Sequence, residues 1–279
     1  MEKLFQLSQE QVRELLTLIR GGTFNEARAT YWPCSSALLD SKVFKSIEAH
    51  VERRLGRSVC FAFDELFTPS GSPDSHFQIW HKDSEDRAFD GGCFNVWIPL
   101  FASDGNVAGL EFIDDDELNS YDLVFDDPRG APLPFPLAPG QLAFASHKQV
   151  AFKVVDDGDI RVSRPDQSLY GCYFFNSAQF HRAVAFDGFA MRFGIKFSLK
   201  PLGELFDLTT SPDVSLMRYA MTRLDSEIAG FAALDDRERC YAVARFVHEH
   251  LASAINSPTA RSQVLYRTFL DSLLARTEP

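Results

Sequence analysis

The chain has 279 residues, 45% hydrophobic and 24% charged, a balance that specifies a globular protein with a sizeable core. Its formal net charge of -11 excludes a general binder of nucleic acid or anionic membrane, since both demand a basic surface. Cys34, Cys60, Cys93, Cys172 and Cys240 are odd in number, scattered and without a CxxC pair, so neither a disulfide framework nor a zinc ribbon is indicated, and a reducing cytoplasm is the expected location.

From the amino terminus, Met1 to Gln6 lack the charged start and apolar core of a signal peptide. No stretch reaches the roughly 20 apolar residues of a membrane span. Ser8-Gln9-Glu10-Gln11 reads as a capping box, followed by Val12, Leu15, Leu16 and Ile19 at helical spacing, and Gly21-Gly22 closes that helix. A second helix is expected over about 41–55, with Val43, Phe44, Ile47, Val51 and Leu55 on one face. From residue 58 the texture changes to short β-rich runs broken by Gly, Pro, Asp and Asn. The runs are 59–66, 77–83, 93–101, 107–113, 142–145, 150–155, 169–175 and 189–199. About eight strands without strand–helix alternation exclude a Rossmann or βα-barrel layout and favour a sandwich, barrel or jelly roll. After Pro201 helical patterns return, with Met217, Leu224 and Ile228 on one face, a segment around Tyr241, Phe246 and Val247, and a last helix over about 262–274. We therefore expect an amino-terminal helical segment over 1–57, a β core over 58–201 and a helical extension over 202–279, forming one compact domain. The 26 Phe residues fit an aromatic-rich interior.

Chemistry concentrates in Ile79-Trp80-His81-Lys82-Asp83. Residues two apart on a strand share a face, so His81 and Asp83 converge while Lys82 points away. An imidazole with a carboxylate suits a borderline divalent metal such as iron(II). A third ligand must come from elsewhere, and His147 and His181 both follow strand-like runs. His50 and His76 lie in a helix and a turn, and His248 and His250 sit two apart on a helix, pointing in different directions. Arg192 follows His181 by eleven positions, whereas the nearest arginine after His147 is Arg161. In the run from Arg192 to Ser198, Arg192, Gly194, Lys196 and Ser198 fall on one face and Phe193, Ile195 and Phe197 on the other. An arginine on an otherwise apolar strand calls for an anionic partner, and a carboxylate matches its fork best. In the strand around Asn95, both Asn95 and Trp97 face the side of Cys93 and Pro99.

These residues, in this order, resemble the iron(II)- and 2-oxoglutarate-dependent dioxygenases, and most closely their phytanoyl-coenzyme A dioxygenase-like branch. Trp80-His81-Lys82-Asp83 resembles its Trp-His-x-Asp, Asn95 to Leu100 its tryptophan-containing strand, and Gly171 to Ala183 its Gly-Asp stretch that ends in Phe-Phe and then His-Arg-Ala. The likeness covers about 58–201. Cys172 departs from the usual Asp, and the family's Asn-Gly and Pro-Gly-Ser-His segment is only faintly echoed by Asp104-Gly105-Asn106 and Leu110 to Ile113. The resemblance implies a mainly β fold with flanking helices and a double-stranded β-helix core, that is, a cupin-like jelly roll. It implies iron(II) held by His81, Asp83 and His181, which are also the catalytic residues. It implies 2-oxoglutarate as co-substrate held by Arg192, with Asn95 and Trp97 lining its site. The carboxylate of Asp83 favours hydroxylation or a related oxidation over halogenation, because family halogenases carry a small residue there.

The expected partners are a small-molecule substrate and dioxygen, with no nucleic acid and no membrane, in a monomer or homodimer. Lys82, Arg87, Lys148, Arg182 and Lys196 are candidates to meet an anionic group on the substrate. A lid is expected from 84–92 or 114–139. The alternatives from the residues alone are a cupin-type metal enzyme that does not use 2-oxoglutarate and a non-catalytic jelly-roll binding protein.

Overall fold

The computed structural model of the chain describes residues 1–25, 30–32, 35–67, 80–82, 93–103, 107, 109–114, 141–146, 151–156, 161–184, 190–199, 223–246 and 260–277. Helix α1 (Gln9–Arg20) starts where the capping box predicts: the Gln11 N–H donates to Ser8 Oγ at 3.2 Å and the Ser8 N–H donates to Gln11 Oε1 at 3.0 Å. A short helix α2 (Ser35–Asp40) leads into α3 (Lys42–Leu55), capped by Ser41 and closed by Gly56 in the left-handed region at φ 66°. Glu14 of α1 accepts hydrogen bonds from the Lys42 and Val43 N–H groups at 3.0 and 2.9 Å. One carboxylate thus satisfies two orphan donors of the neighbouring helix and fixes the two helices together.

The strands are β1 (Glu2–Gln6), β2 (Thr23–Asn25), β3 (Thr30–Trp32), β4 (Cys60–Phe67), β5 (Cys93–Ala102), β6 (Leu110–Ile113), β7 (Gln141–Ser146), β8 (Ala151–Asp156), β9 (Val162–Ser163), β10 (Gly171–Asn176), β11 (His181–Ala183) and β12 (Ala190–Ser198). Seven of them form an antiparallel sheet in the order β1-β10-β5-β12-β4-β3-β2, and a smaller sheet runs β11-β6-β9. β7 and β8 pair as a separate hairpin. Seven of the eight expected runs overlap these strands; the run 77–83 is described only at 80–82, where His81 forms an isolated antiparallel bridge with His181. Carboxy-terminal helices α4 (Asp236–Phe246) and α5 (Ala260–Ala275) match the expected helical segments, but Ile228 is 41% exposed while Leu224 is buried, so these two do not share a buried face. The chain is therefore sheet-rich with flanking helices.

The large sheet has two unlike faces. Val96, Ile98, Leu100, Cys172, Phe174, Met191, Phe193, Ile195 and Phe197 pack with the buried stripes of α1 and α3 and with Leu270 and Leu273 of α5. Phe44 of α3 stacks on Phe197 at 5.9 Å and meets Phe61 edge-on at 5.6 Å. The alternate residues turn the other way, where Trp97, Tyr173 and Phe175 pack against Leu110 and Phe112 of the smaller sheet. Period-two alternation thus divides each central strand between a helix-covered core and an aromatic layer between two sheets. Among the described residues no helix is long and apolar enough to cross a membrane.

Candidate metal and anion site

The segment that delivers His181 is short and heavily specified. β10 ends at Asn176, whose side-chain carbonyl accepts from the Ala178 N–H at 2.9 Å, while its backbone carbonyl accepts from Gln179 at 3.1 Å and the Ser177 N–H reaches Cys93 at 3.1 Å. This turn carries the chain from the large sheet to the small one within four residues, so Phe175 and His181 end on the same interior layer. Their rings meet at 4.9 Å, and Phe112 stacks on the His181 ring at 5.9 Å.

His181 is 5% exposed, and its Nδ1 lies 2.9 Å from the Gln179 carbonyl oxygen. A carbonyl only accepts, so Nδ1 carries the proton, and in the neutral ring Nε2 is the nitrogen able to accept or ligate. A ring held this way is ready to bind a metal, because the outward hydrogen bond fixes tautomer and orientation. His81 faces it directly: each backbone N–H donates to the other's carbonyl at 3.0 Å, and the two rings lie 4.4 Å apart at 52°. Two imidazoles bound at right angles to one ion, through nitrogens about 2.1 Å from it, would place their centroids roughly 4.5 Å apart. The observed spacing fits that requirement. Asp83 lies outside the described residues, as does the rival His147, and among the described residues no group of three His, Cys, Asp or Glu forms a metal cluster.

The facing sheet supplies the cation. Arg192 is 2% exposed and sits in register with Pro99 on β5 and Phe67 on β4. Gly194 lies opposite Trp97 and adds no side chain to that row; the Arg192 guanidinium rests 5.5 Å from the Trp97 ring centroid. Burial lowers the guanidinium from its usual 12.5 to about 9, so it stays cationic at neutral pH while carrying a desolvation cost that an anion would offset. Asn95 and Lys196, both buried, are cross-strand partners on the same face, two residues further along β5 and β12 from Trp97 and Gly194. Asn95 also pairs in register with Phe175, the residue that touches His181. The structure therefore brings His81, His181, Asn95, Trp97 and Arg192 to the layer between the sheets.

Sequence reasoning missed the residues behind the histidines. Arg182 does not face the interior layer: its Nε donates to Glu111 at 2.8 Å and its guanidinium lies 4.5 Å from the Trp80 ring centroid. Lys82 sits over Phe180 at 4.5 Å. Glu111, 4% exposed, also receives Arg164. The only signal available was negative: a carboxylate within the apolar run Leu110-Glu111-Phe112-Ile113 needs cationic partners, but the sequence does not say which.

No family model matches the chain, and no curated protein matches it. Among solved structures, the non-heme monooxygenase ThoJ in its apo form is 15% identical, with 71% of this chain and 73% of that chain covered and a TM-score of 0.40. SnoN, a non-heme alpha ketoglutarate dependent epimerase from nogalamycin biosynthesis, is 15% identical over 69% of this chain and 73% of its own, with a TM-score of 0.41. AviO1 from Streptomyces viridochromogenes Tue57 is 14% identical over 57% of this chain and 58% of its own, at 0.32.

Proposed function

We propose that the chain is a non-haem iron(II)- and 2-oxoglutarate-dependent oxygenase of the phytanoyl-coenzyme A dioxygenase-like branch, hydroxylating an unactivated C–H bond of a small molecule. The reading includes a jelly-roll core over 58–201, helical segments at 1–57 and 202–279, a cytoplasmic location and a monomeric or homodimeric state. The observation that carries it is a tautomer-fixed His181 facing His81 at 4.4 Å, in a layer whose opposite wall holds the buried Arg192.

In this reading His81, His181 and Asp83 hold the metal. Iron(II) and 2-oxoglutarate, when bound, supply from dioxygen an oxidant able to attack an unactivated C–H bond, with release of succinate and carbon dioxide. The chain's own part is placement and exclusion. Gln179 keeps the proton on Nδ1 of His181, leaving Nε2 for the metal. Arg192 binds the co-substrate carboxylate remote from the metal, with Trp97 packed against its guanidinium and Asn95 as a hydrogen-bonding wall. Phe112 and Phe175 keep water away from the His181 ring.

Two measurements test the proposal. With cobalt(II) in place of iron, 2-oxoglutarate should raise the melting temperature of the wild type. Arg192→Ala should weaken that binding ten- to hundredfold, consistent with about 1.5–3 kcal/mol for hydrogen bonds to a charged group. Aerobic incubation with iron(II) and 2-oxoglutarate should yield succinate. Equal 2-oxoglutarate affinity in wild type and Arg192→Ala sinks the co-substrate assignment. Metal binding without any 2-oxoglutarate effect would favour a cupin-type enzyme instead.

A further inference from the structure

The small sheet has an outer side that mirrors its inner one. His81, His181 and Phe112 form the inner row, and their chain neighbours Trp80, Arg182 and Glu111 form the outer one. Only one bridged pair, with two backbone hydrogen bonds at 3.0 Å, joins the His81 segment to β11 among the described residues. Two such bonds are worth on the order of 1–3 kcal/mol net. The outer row adds side-chain contacts across the same strands. The Arg182 guanidinium packs on Trp80, itself fully buried and, among the described residues, with no acceptor for its Nε1–H, so the stack and packing set the indole's place. On its other side Arg182 donates to Glu111 Oε2 at 2.8 Å, and Arg164, beside β9, donates to Glu111 Oε1 at 2.9 Å. A chain of contacts thus runs Trp80–Arg182–Glu111–Arg164, across the His81 segment, β11, β6 and the residue that follows β9.

We propose that Arg182, braced by Glu111 and Arg164, is a positioning residue for the metal site: its stack on Trp80 fixes from behind the register that sets the His81–His181 spacing. The proposal rests on those two histidines holding a metal. Because Trp80 and His81 are consecutive, as are Arg182 and His181, a shift of the outer stack moves both imidazoles. Arg182 touches neither metal nor substrate in this arrangement. Lysine cannot replace it, since an ammonium keeps the charge but has no planar face for the indole and no fork for the carboxylate.

The test is cobalt(II) titration of the full chain, followed by the visible absorption of the bound ion, for wild type, Arg182→Lys, Glu111→Gln, His181→Ala and the control Arg237→Lys. Arg237 makes ion pairs with Glu48 and Glu52 of α3 and reports general loss of an ion pair. Arg182→Lys should bind cobalt(II) ten- to hundredfold more weakly, with altered band intensities, the range seen when a partner behind a metal ligand is lost. Arg237→Lys should bind as wild type. If Arg182→Lys fails to fold, Glu111→Gln carries the test, since it keeps the side-chain volume but loses the charge pair, and it too should bind more weakly. Wild-type affinity in the folded Arg182 or Glu111 variant, with binding lost in His181→Ala, overturns the positioning role alone. Equal binding by wild type and His181→Ala overturns the metal reading and the positioning role together.

Discussion

Glu111 binds together strands that lie far apart in sequence. Burial pushes its carboxyl up, but the hydrogen bonds from Arg164 and Arg182 outweigh that and hold it below the usual carboxylate range. A carboxyl with a lowered folded value contributes stability that is complete above its unfolded value, about 4.3, and is lost as pH falls through the lower folded value. The melting temperature of Glu111→Gln should therefore fall less than that of the wild type between about pH 5 and 3; parallel acid profiles would show that the carboxylate contributes nothing to this dependence. Arg182 and Arg164 lie 71 and 53 positions from Glu111, and no local pattern announces such pairings. Arg192, Asn95 and Trp97 were legible because strand alternation alone assigns them to one face. The strand and turn that lead to His181 were legible from the run Gly171 to Phe180. The Trp80–Arg182 stack was not, since it depends on which strand crosses which.

At the scale of elements, legibility followed length and end chemistry. α1 and α3 declare themselves through caps and a 3.6-residue apolar period. β1, β9 and β11 have five, two and three residues and exist because partners pair with them, so periodicity had too few positions to show. The start of β10 illustrates a local constraint that outranks propensity. Tyr170 adopts φ 63°, and the Tyr173 ring folds back so that its hydroxyl accepts from the Ser168 N–H at 2.6 Å. A Cβ at Gly171 would lie 2.6–2.8 Å from that ring, closer than carbon atoms approach. Gly171→Ala should cost about 1–3 kcal/mol in denaturant unfolding, the usual penalty for overpacking a filled site. A cost under about 0.5 kcal/mol would mean that the ring swings aside freely.

Across the whole molecule, the helix-covered core and the candidate site lie on opposite faces of one sheet. Phe44, on the helix side, touches Phe61, Phe197 and Tyr241 and belongs to the cluster on the face away from Trp97. Phe44→Ala should lose about 3–5 kcal/mol of stability while leaving cobalt(II) affinity per folded molecule unchanged, measured well below its melting point. A comparable loss of affinity would show that the two faces are mechanically coupled. Which face the helices cover was not legible in the sequence, because both rows of β12 are largely buried in the end.

That division leaves β12 with a particular vulnerability. Its faces are distinguished only by odd and even position, so a deletion of one residue near its centre would not merely shorten it. Ile195 and Phe197 beyond the deletion would turn toward the other sheet and Lys196 toward α3, exchanging the two faces downstream of the lesion. Two-residue changes would keep each side chain on its own wall. Length variation in this strand should therefore be tolerated, if at all, in pairs.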